Sequence, residues 1–355
     1  MKFIIFNMDE LFSISHILGF AALSFIITMA WTPALEHFLF KYRLGKQIRT
    51  EGVPIFAKLH RKKEGTPTMG GILIWGTTLV LALLFWWLAK IAPDTIFGKL
   101  NFLSRGQTLL PLGALVASAL VGLIDDLLGV FKIGPKGGGL QLRHRLLIYT
   151  IIAAFGAWWF FWKLEWDLIH IPFVGDFNIG WWYIPLFVFI LVATAFSVNE
   201  ADGLDGLAGG VLLVAFGAFA VIAFTQGRMD LAVFCGVIIG ALLAFLWFNI
   251  HPARFFMGDT GAMPLGITLG IMAMLTNAFL LLPLIGFILV LESGSVILQI
   301  LSKKIIGRKI FLSAPLHHHL EAKGWPETKV TERFWIIAGV TAAAGLILVL
   351  VEKIV

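Results

Sequence analysis

The sequence predicts an all-α, polytopic integral membrane protein of about ten transmembrane helices, and three observations predict it. Of 355 residues, 59% are hydrophobic and 14% charged, with a mean hydropathy of +0.91, whereas a soluble domain carries about 25% charge. Apolar runs of bilayer length recur along the whole chain. Lys and Arg collect in alternate loops. A water-soluble globule is excluded, and at about 20 residues per crossing ten crossings leave only short loops, so residues 1–355 form a single transmembrane domain.

In chain order, the apolar runs cover about 16–38, 69–88, 109–124, 146–162, 182–198, 207–225, 231–248, 262–278, 280–302 and 333–351. Only Thr276, Asn277 and the nearby Pro283 separate the eighth run from the ninth, and these residues suit a turn. Loops 41–67, 125–145, 199–206, 249–261 and 303–333 hold 20 of the 27 Lys and Arg residues. That side is therefore read as cytoplasmic and both termini as external. Trp86, Trp87, Trp158, Trp159, Trp162, Trp166, Trp181 and Trp182 fall near the opposite ends, at headgroup level. Between Leu168 and Pro185, with Gly175, Asp176 and Gly180, the pattern predicts a small hairpin on the outer (periplasmic) surface. The amino end, with Asp9 and Glu10 after a short apolar patch, does not read as a removable signal peptide, so Met1 is taken as retained. Cys235 stands alone in an apolar run, without a disulfide or thiolate metal partner. The formal charge of +6 reads as membrane topology, with no nucleic-acid partner.

The acids are placed unusually. Asp125, Asp126, Glu200, Asp202, Asp205 and Asp259 all fall at the ends of spans on the basic side, which points to ion pairs or a bound cation. Adjacent carboxylates such as Asp125 and Asp126 repel unless a cation or proton intervenes, although an isolated pair is commonly two solvated loop acids. In SVNEADGLDGLAGG, Asn199, Asp202 and Asp205 recur at helical spacing, nearly on one face. The surrounding glycines suit a close ligand turn or helix packing alike. FNIHPARFFMGDTGAM places Asn249, Phe256 and Asp259 in a short loop with Arg254.

Glu292 lies eleven residues before Lys303 inside an apolar run, roughly 16 Å from the interface on a straight helix. A lipid-exposed carboxylate there is implausible, so Glu292 is expected in a cleft wall, hydrated or paired with another helix. The run His317, His318 and His319 makes a poor zinc site, since consecutive residues diverge and no Cys is near; a solvated loop or donors to phosphate are the alternatives. GPKGGGL (134–140) lacks the GK[ST] ending of a nucleotide loop and reads as a flexible basic loop.

Taken together, HRKKEGTPTMGG, the Asp125–Asp126 pair, NEADGLDGLAGG, FNIHPARFFMGDTG, the stretch Glu292 to Gln299 and APLHHHLEAKGWPE resemble the phospho-N-acetylmuramoyl-pentapeptide transferase family of the polyprenyl-phosphate N-acetylhexosamine-1-phosphate transferase superfamily, from about residue 41 to 340. GTPTMGG and FMGDTG mark the superfamily, and HHHLEAKGWPE marks the branch. The resemblance implies ten spans with external termini, a homodimer, a cytoplasmic active-site cleft, and a bacterial inner-membrane location. It implies transfer of phospho-MurNAc-pentapeptide from UDP-MurNAc-pentapeptide to undecaprenyl phosphate, giving lipid I and UMP with Mg2+ required. By the same carry-over Asp259 is the metal ligand, Asp125 and Asp126 the catalytic pair, and His317 and His318 contacts to phosphate. Lys63, Asn199, Asp202, Asp205, Asn249 and Phe256 would line the uridine and pyrophosphate pocket, Phe256 stacking on uracil. Glu292 and His319 join the substrate-binding set.

Two departures stand out. Gly129 occupies the place of the family's Lys four residues after its first Asp, with Lys132 three residues on and Arg143 expected to supply part of the lost charge. Glu200 and Ala201 replace a common Leu-Thr pair. Rival readings are a transferase for another UDP-N-acetylhexosamine, an ion-coupled transporter, which predicts midplane charges rather than acids on one face, and a catalytically silent scaffold.

Overall fold

The structure is a computed structural model and describes residues 8–45, 63–104, 106–134 and 138–354. His60, Arg61 and Lys62 of the first motif, residues 135–137 of the Gly-rich stretch, and Met1 lie outside the described residues. In chain order the helices are α1 (Met8–Lys41), α2 (Ile72–Ile91), the short α3 (Ile96–Leu100), α4 (Leu109–Val130), α5 (Leu142–Trp158), α6 (Tyr183–Ala201), α7 (Leu207–Thr225), α8 (Met229–Asn249), α9 (Asp259–Leu275), the single turn α10 (Leu282–Ile285), α11 (Phe287–Ile305), the short α12 (Leu316–Ala322) and α13 (Glu327–Glu352). Between α5 and α6 an antiparallel hairpin pairs β1 (Leu168–Ile171) with β2 (Gly175–Asn178), Leu168 opposite Asn178 and Ile171 opposite Gly175, within the stretch that the turn residues predicted.

Among the described residues, eight helices are long and apolar enough to span a bilayer: α1, α2, α4, α5 with its wide final turn to Lys163, α6, α7, α8 and α13. The expected ninth run, 280–302, is corrected. It is not one straight helix, because the segments Phe279–Ile285 and Phe287–Ile305 meet at 84°. Pro283 falls in the first turn of α10, where proline is tolerated, and Gly286 sits at the corner between the two segments. Counted as one span, the bent pair is the ninth. The expected eighth run is α9, whose 17 residues reach about 25 Å. All of its residues except Asp259 are buried, so protein rather than lipid surrounds it and bilayer thickness does not dictate its length.

The centre of the bundle is α7, α8 and α9. Helix α8 lies between α1 and α7, and α9 between α4 and α6. With little hydrophobic drive between helices in lipid, small residues and interhelical hydrogen bonds set the packing. Ser24 donates to the Val237 carbonyl at 2.6 Å, Thr28 to Thr77 at 2.9 Å, Ser197 to Ser293 at 2.8 Å, and Thr260 to the Ala119 carbonyl at 3.0 Å. Helix α11 is inside-out relative to a soluble helix. Glu292, Ser293, Ser295, Gln299 and Ser302 are buried, while Ile297, Leu298, Ile300 and Leu301 are exposed, as suits a helix with lipid outside and a polar interior.

The approach of α4 to α9 positions everything that follows. Gly122 faces the backbone of Asp259 and Thr260 so closely that any Cβ there would overlap the Asp259 carbonyl. Gly122→Leu is therefore expected to lower the detergent-solubilised melting temperature, by the ~1–3 kcal/mol typical of overpacking. Gly113→Leu on the same helix, where a Cβ meets nothing within 4 Å, leaves it unchanged; differential scanning fluorimetry of both variants checks this.

Candidate active site

Three helices bring three carboxylates and a carboxamide to one end of the bundle. Asp125 and Asp126 stand in the last turns of α4, Asn199 in the last turn of α6, and Asp259 at the first position of α9. The first amides of any helix lack intrahelical acceptors, and an acceptor with negative charge is favoured there. Asp126 fills that role for α9: its Oδ1 accepts from the Asp259 amide at 3.1 Å and its Oδ2 from the Thr260 amide at 3.0 Å. The Thr68 hydroxyl donates to Oδ1 at 3.4 Å. Gly258 makes the entry possible. Its φ of 75° suits glycine, and a Cβ there would stand 2.5 Å from Asp126 Oδ2.

The two adjacent acids therefore separate in function. Asp125 Oδ1 accepts from the Leu140 amide at 2.5 Å, and its Oδ2 lies 2.7 Å from Arg145 Nε. Arg145 Nη2 reaches Asp259 Oδ2 at 2.9 Å, and its Nη1 donates to Asn199 Oδ1 at 3.1 Å. The Asn199 carboxamide donates in turn to Asp259 Oδ1 at 2.5 Å. One half-buried guanidinium thus ties Asp125, Asp259 and Asn199 together. Arg145 is the residue that sequence reasoning missed. The expected Arg143 is exposed, and a helix beginning at Leu142 sends residue 145, not 143, toward α4 and α9. A Cβ at Gly129 would meet nothing within 4 Å.

A second polar node lies beside the first. The Lys63 ammonium contacts Asp205 Oδ1 at 2.7 Å and also Glu327. Asp205 Oδ2 accepts from the Ala253 amide at 3.1 Å and meets His251 Nδ1 at 2.9 Å, and the Asp205 amide donates to Glu327 Oε1 at 2.7 Å. Burial opposes ionisation of Asp205, but Lys63 and these donors outweigh it and hold the carboxyl below the usual carboxylate range. The Phe256 ring centroid is 5.9 Å from the Lys63 ammonium, within cation–π range. Asp202 closes the C-terminal end of α6 next to this node and is half-buried. Asn249 is buried, its carboxamide accepting from the Gly206 amide at 3.0 Å and donating to the Phe255 carbonyl at 2.8 Å, so it shapes the loops beneath the node. His251 and Glu327 fall inside sequence motifs without standing out there; only folding brings residues 63, 205, 251 and 327 together.

The histidines separate as well. His317 is fully buried, and its Nδ1 pairs at 2.7 Å with Oε2 of Glu292, itself fully buried. Glu292 is thus inside the bundle with a histidine partner rather than in an open cleft wall, and His317 is turned inward over Gly203 rather than toward solvent. Burial opposes protonation of His317, and the Glu292 carboxylate outweighs it, holding the imidazole above its usual range. His318 Nδ1 pairs with Glu321 at 2.8 Å. His319 Nδ1 accepts from the Leu312 amide at 3.1 Å.

Among the described residues, two groups could offer oxygen or nitrogen ligands to a metal. Asp205, His251 and Glu327 place one ligand atom each within 4.8 Å of one another; the Lys63 ammonium contacts both of these carboxylates, as Arg145 contacts those of Asp125 and Asp259. The Asp125–Asp259 pair offers only hard oxygens, which suit Mg2+ together with phosphate oxygens from a substrate.

A helical membrane bundle with a carboxylate centre at one end, next to a basic and aromatic node, is an arrangement suited to a membrane-embedded enzyme. Residues 108–277 match the Glycosyl transferase family 4 profile, and residues 63–74 match signature 1 of phospho-N-acetylmuramoyl-pentapeptide-transferase. The phospho-N-acetylmuramoyl-pentapeptide-transferase of Chloroflexus aggregans is 40% identical over 93% of this chain and 89% of its own length. That of Geobacillus thermodenitrificans is 39% identical over 92% and 95%, and that of Bacillus subtilis 40% over 92% and 93%. The chain belongs to the phospho-N-acetylmuramoyl-pentapeptide-transferase family.

The His317–Glu292 pair carries a pH signature. Because the fold holds His317 protonated more firmly than the unfolded chain does, its stabilisation is complete below about pH 6.5 and fades as pH rises through the raised folded value. Thermal unfolding between about pH 6 and pH 9 is expected to show a midpoint that declines with pH, and Glu292→Gln to flatten that decline; an equally steep decline in the variant contradicts the pair.

Proposed function

We propose that this chain transfers phospho-MurNAc-pentapeptide from UDP-MurNAc-pentapeptide to undecaprenyl phosphate, forming lipid I and releasing UMP, the first membrane step of peptidoglycan synthesis. The observation that carries this reading is the convergence of Asp125, Asn199, Asp259 and Arg145 at the N-terminus of a buried helix, in a chain 40% identical to named transferases over 93% of its length. The bonds balance simply. An oxygen of the lipid phosphate attacks the phosphorus attached to the sugar, a new pyrophosphate link forms, and the bond to the bridging oxygen breaks so that UMP leaves with its electron pair. Phosphate monoesters are already largely dianionic near neutral pH, with a second pKa near 6, so positioning and charge neutralisation carry more of the work than proton removal.

In this reading Asp259, with Asp125 beside it, would hold Mg2+, which would supply charge neutralisation at the pyrophosphate. Asp126 fixes the first turn of α9 and so positions Asp259. Lys63, Asp202, Asp205 and Phe256 form the nucleotide side of the cleft, Lys63 near the pyrophosphate and Phe256 offering its ring to the uracil. His318 and His319 lie on the same short helix as His317 and approach the donor phosphates, while His317, turned inward, supports that helix through Glu292. Orientation with the acid centre in the cytoplasm and both termini external follows from the Lys and Arg distribution, and the enzyme acts as a homodimer in the bacterial inner membrane.

Purified protein supplied with undecaprenyl phosphate and Mg2+ is expected to release UMP from UDP-MurNAc-pentapeptide and not from UDP-GlcNAc. Asp259→Asn is expected to cut turnover by roughly two orders of magnitude or more, the scale for losing one electrostatic contact to a transition state. Release from UDP-GlcNAc alone would move the chain to another hexosamine-phosphate transferase activity.

A further inference from the structure

We propose that Arg145 is a competing cation at the acid centre: its guanidinium, which contacts both Asp125 and Asp259, competes with a divalent cation for the Asp259 carboxylate. The inference rests on the reading of Asp259 as metal ligand and goes beyond it. The hydrogen bonds of the cluster lead to it. Asp126 has both oxygens committed to the amides of Asp259 and Thr260. Asp125 Oδ1 is taken by the Leu140 amide and Asp259 Oδ1 by Asn199. The other oxygen of each, Oδ2, faces Arg145, at 2.7 Å and 2.9 Å.

A second positive charge at those oxygens meets the guanidinium at close range in a half-buried setting, where charges interact more strongly than in water. Metal binding and the Arg145–Asp259 pair therefore oppose each other, and by linkage each weakens the other by the same factor. The Arg145 side chain retains 20% exposure and stands in the first turn of α5, so it can swing without unwinding a helix. Arginine suits this role because a planar guanidinium spans Asp125, Asn199 and Asp259 at once, whereas an ammonium offers a single point charge. Once displaced, the same fork is suited to the phosphate oxygens that arrive with the metal.

The test is Mn2+ binding to the detergent-solubilised full chain without nucleotide, followed by electron paramagnetic resonance, in the wild type, Arg145→Gln, Arg145→Lys and Asp259→Asn. The expected result is that Arg145→Gln binds Mn2+ about tenfold more tightly than the wild type, within the usual span of coupled sites. Arg145→Lys should fall between them, while Asp259→Asn loses the site. Arg145→Gln should also melt at a lower temperature without Mn2+ and regain the wild-type value with it, an effect that a purely structural arginine would not give. If Arg145→Gln fails to fold, a tighter site in Arg145→Lys supports the proposal. Equal or weaker Mn2+ affinity in whichever of these variants folds overturns it, provided Asp259→Asn abolishes binding. If Asp259→Asn binds like the wild type, the metal assignment under the proposed function fails instead, and this inference with it.

Discussion

The structure depends on one capped helix end. Helix α9 is buried almost throughout, so its first amides cannot be left to water, and an unsatisfied amide at that depth is costly. Asp126 satisfies two of them from the last turns of α4. That requirement brings α4 against α9, makes glycine necessary at position 122, and fixes Asp259 as the first residue of the helix, facing Asp125, Asn199 and Arg145. The dipole at a helix N-terminus favours negative charge, so the Asp259 carboxylate is held there in a setting that suits it, fixed in place by the cap.

Around this centre the bundle follows the rule for membranes, with polar groups inside and apolar groups outside. Helix α11 buries Glu292, Gln299 and three serines and turns its isoleucines and leucines outward. The sharp corner at Gly286 and the short helix α12 let His317 reach Glu292, so a carboxylate placed deep in an apolar run is paired rather than exposed. The second node, Lys63 with Asp205, His251 and Glu327, ties the segment after the first loop, the α6–α7 turn, the α8–α9 loop and the start of α13 into one wall beside the acid centre.

Much of this was legible in the sequence because lipid imposes long apolar runs and an uneven Lys and Arg distribution. The hairpin from Leu168 followed from its turn residues, and the acids on one side marked the end of the bundle where the carboxylates cluster. The bend at Gly286 was not legible, since an apolar run looks the same whether straight or folded and a nearby Pro283 was spent on explaining a turn. Nor was the division of labour between Asp125 and Asp126, because adjacent residues on a helix end point to different neighbours and only α9 decides which one caps it. Arg145 was missed in favour of Arg143 for the same reason: two positions on a helix differ by more than half a turn, and the pattern around them is too polar to choose a face. His251 and Glu327 acquire meaning only through contacts between distant segments.

Under the proposed function the α9 N-terminus, and not the Asp205, His251 and Glu327 group, holds the catalytic cation. Anomalous diffraction from crystals grown with Mn2+ and UMP tests this most directly. The expected result is an anomalous peak at Asp259, next to Asp125; a peak among Asp205, His251 and Glu327, with Asp259 still bound to Arg145 and no metal beside it, would overturn this assignment.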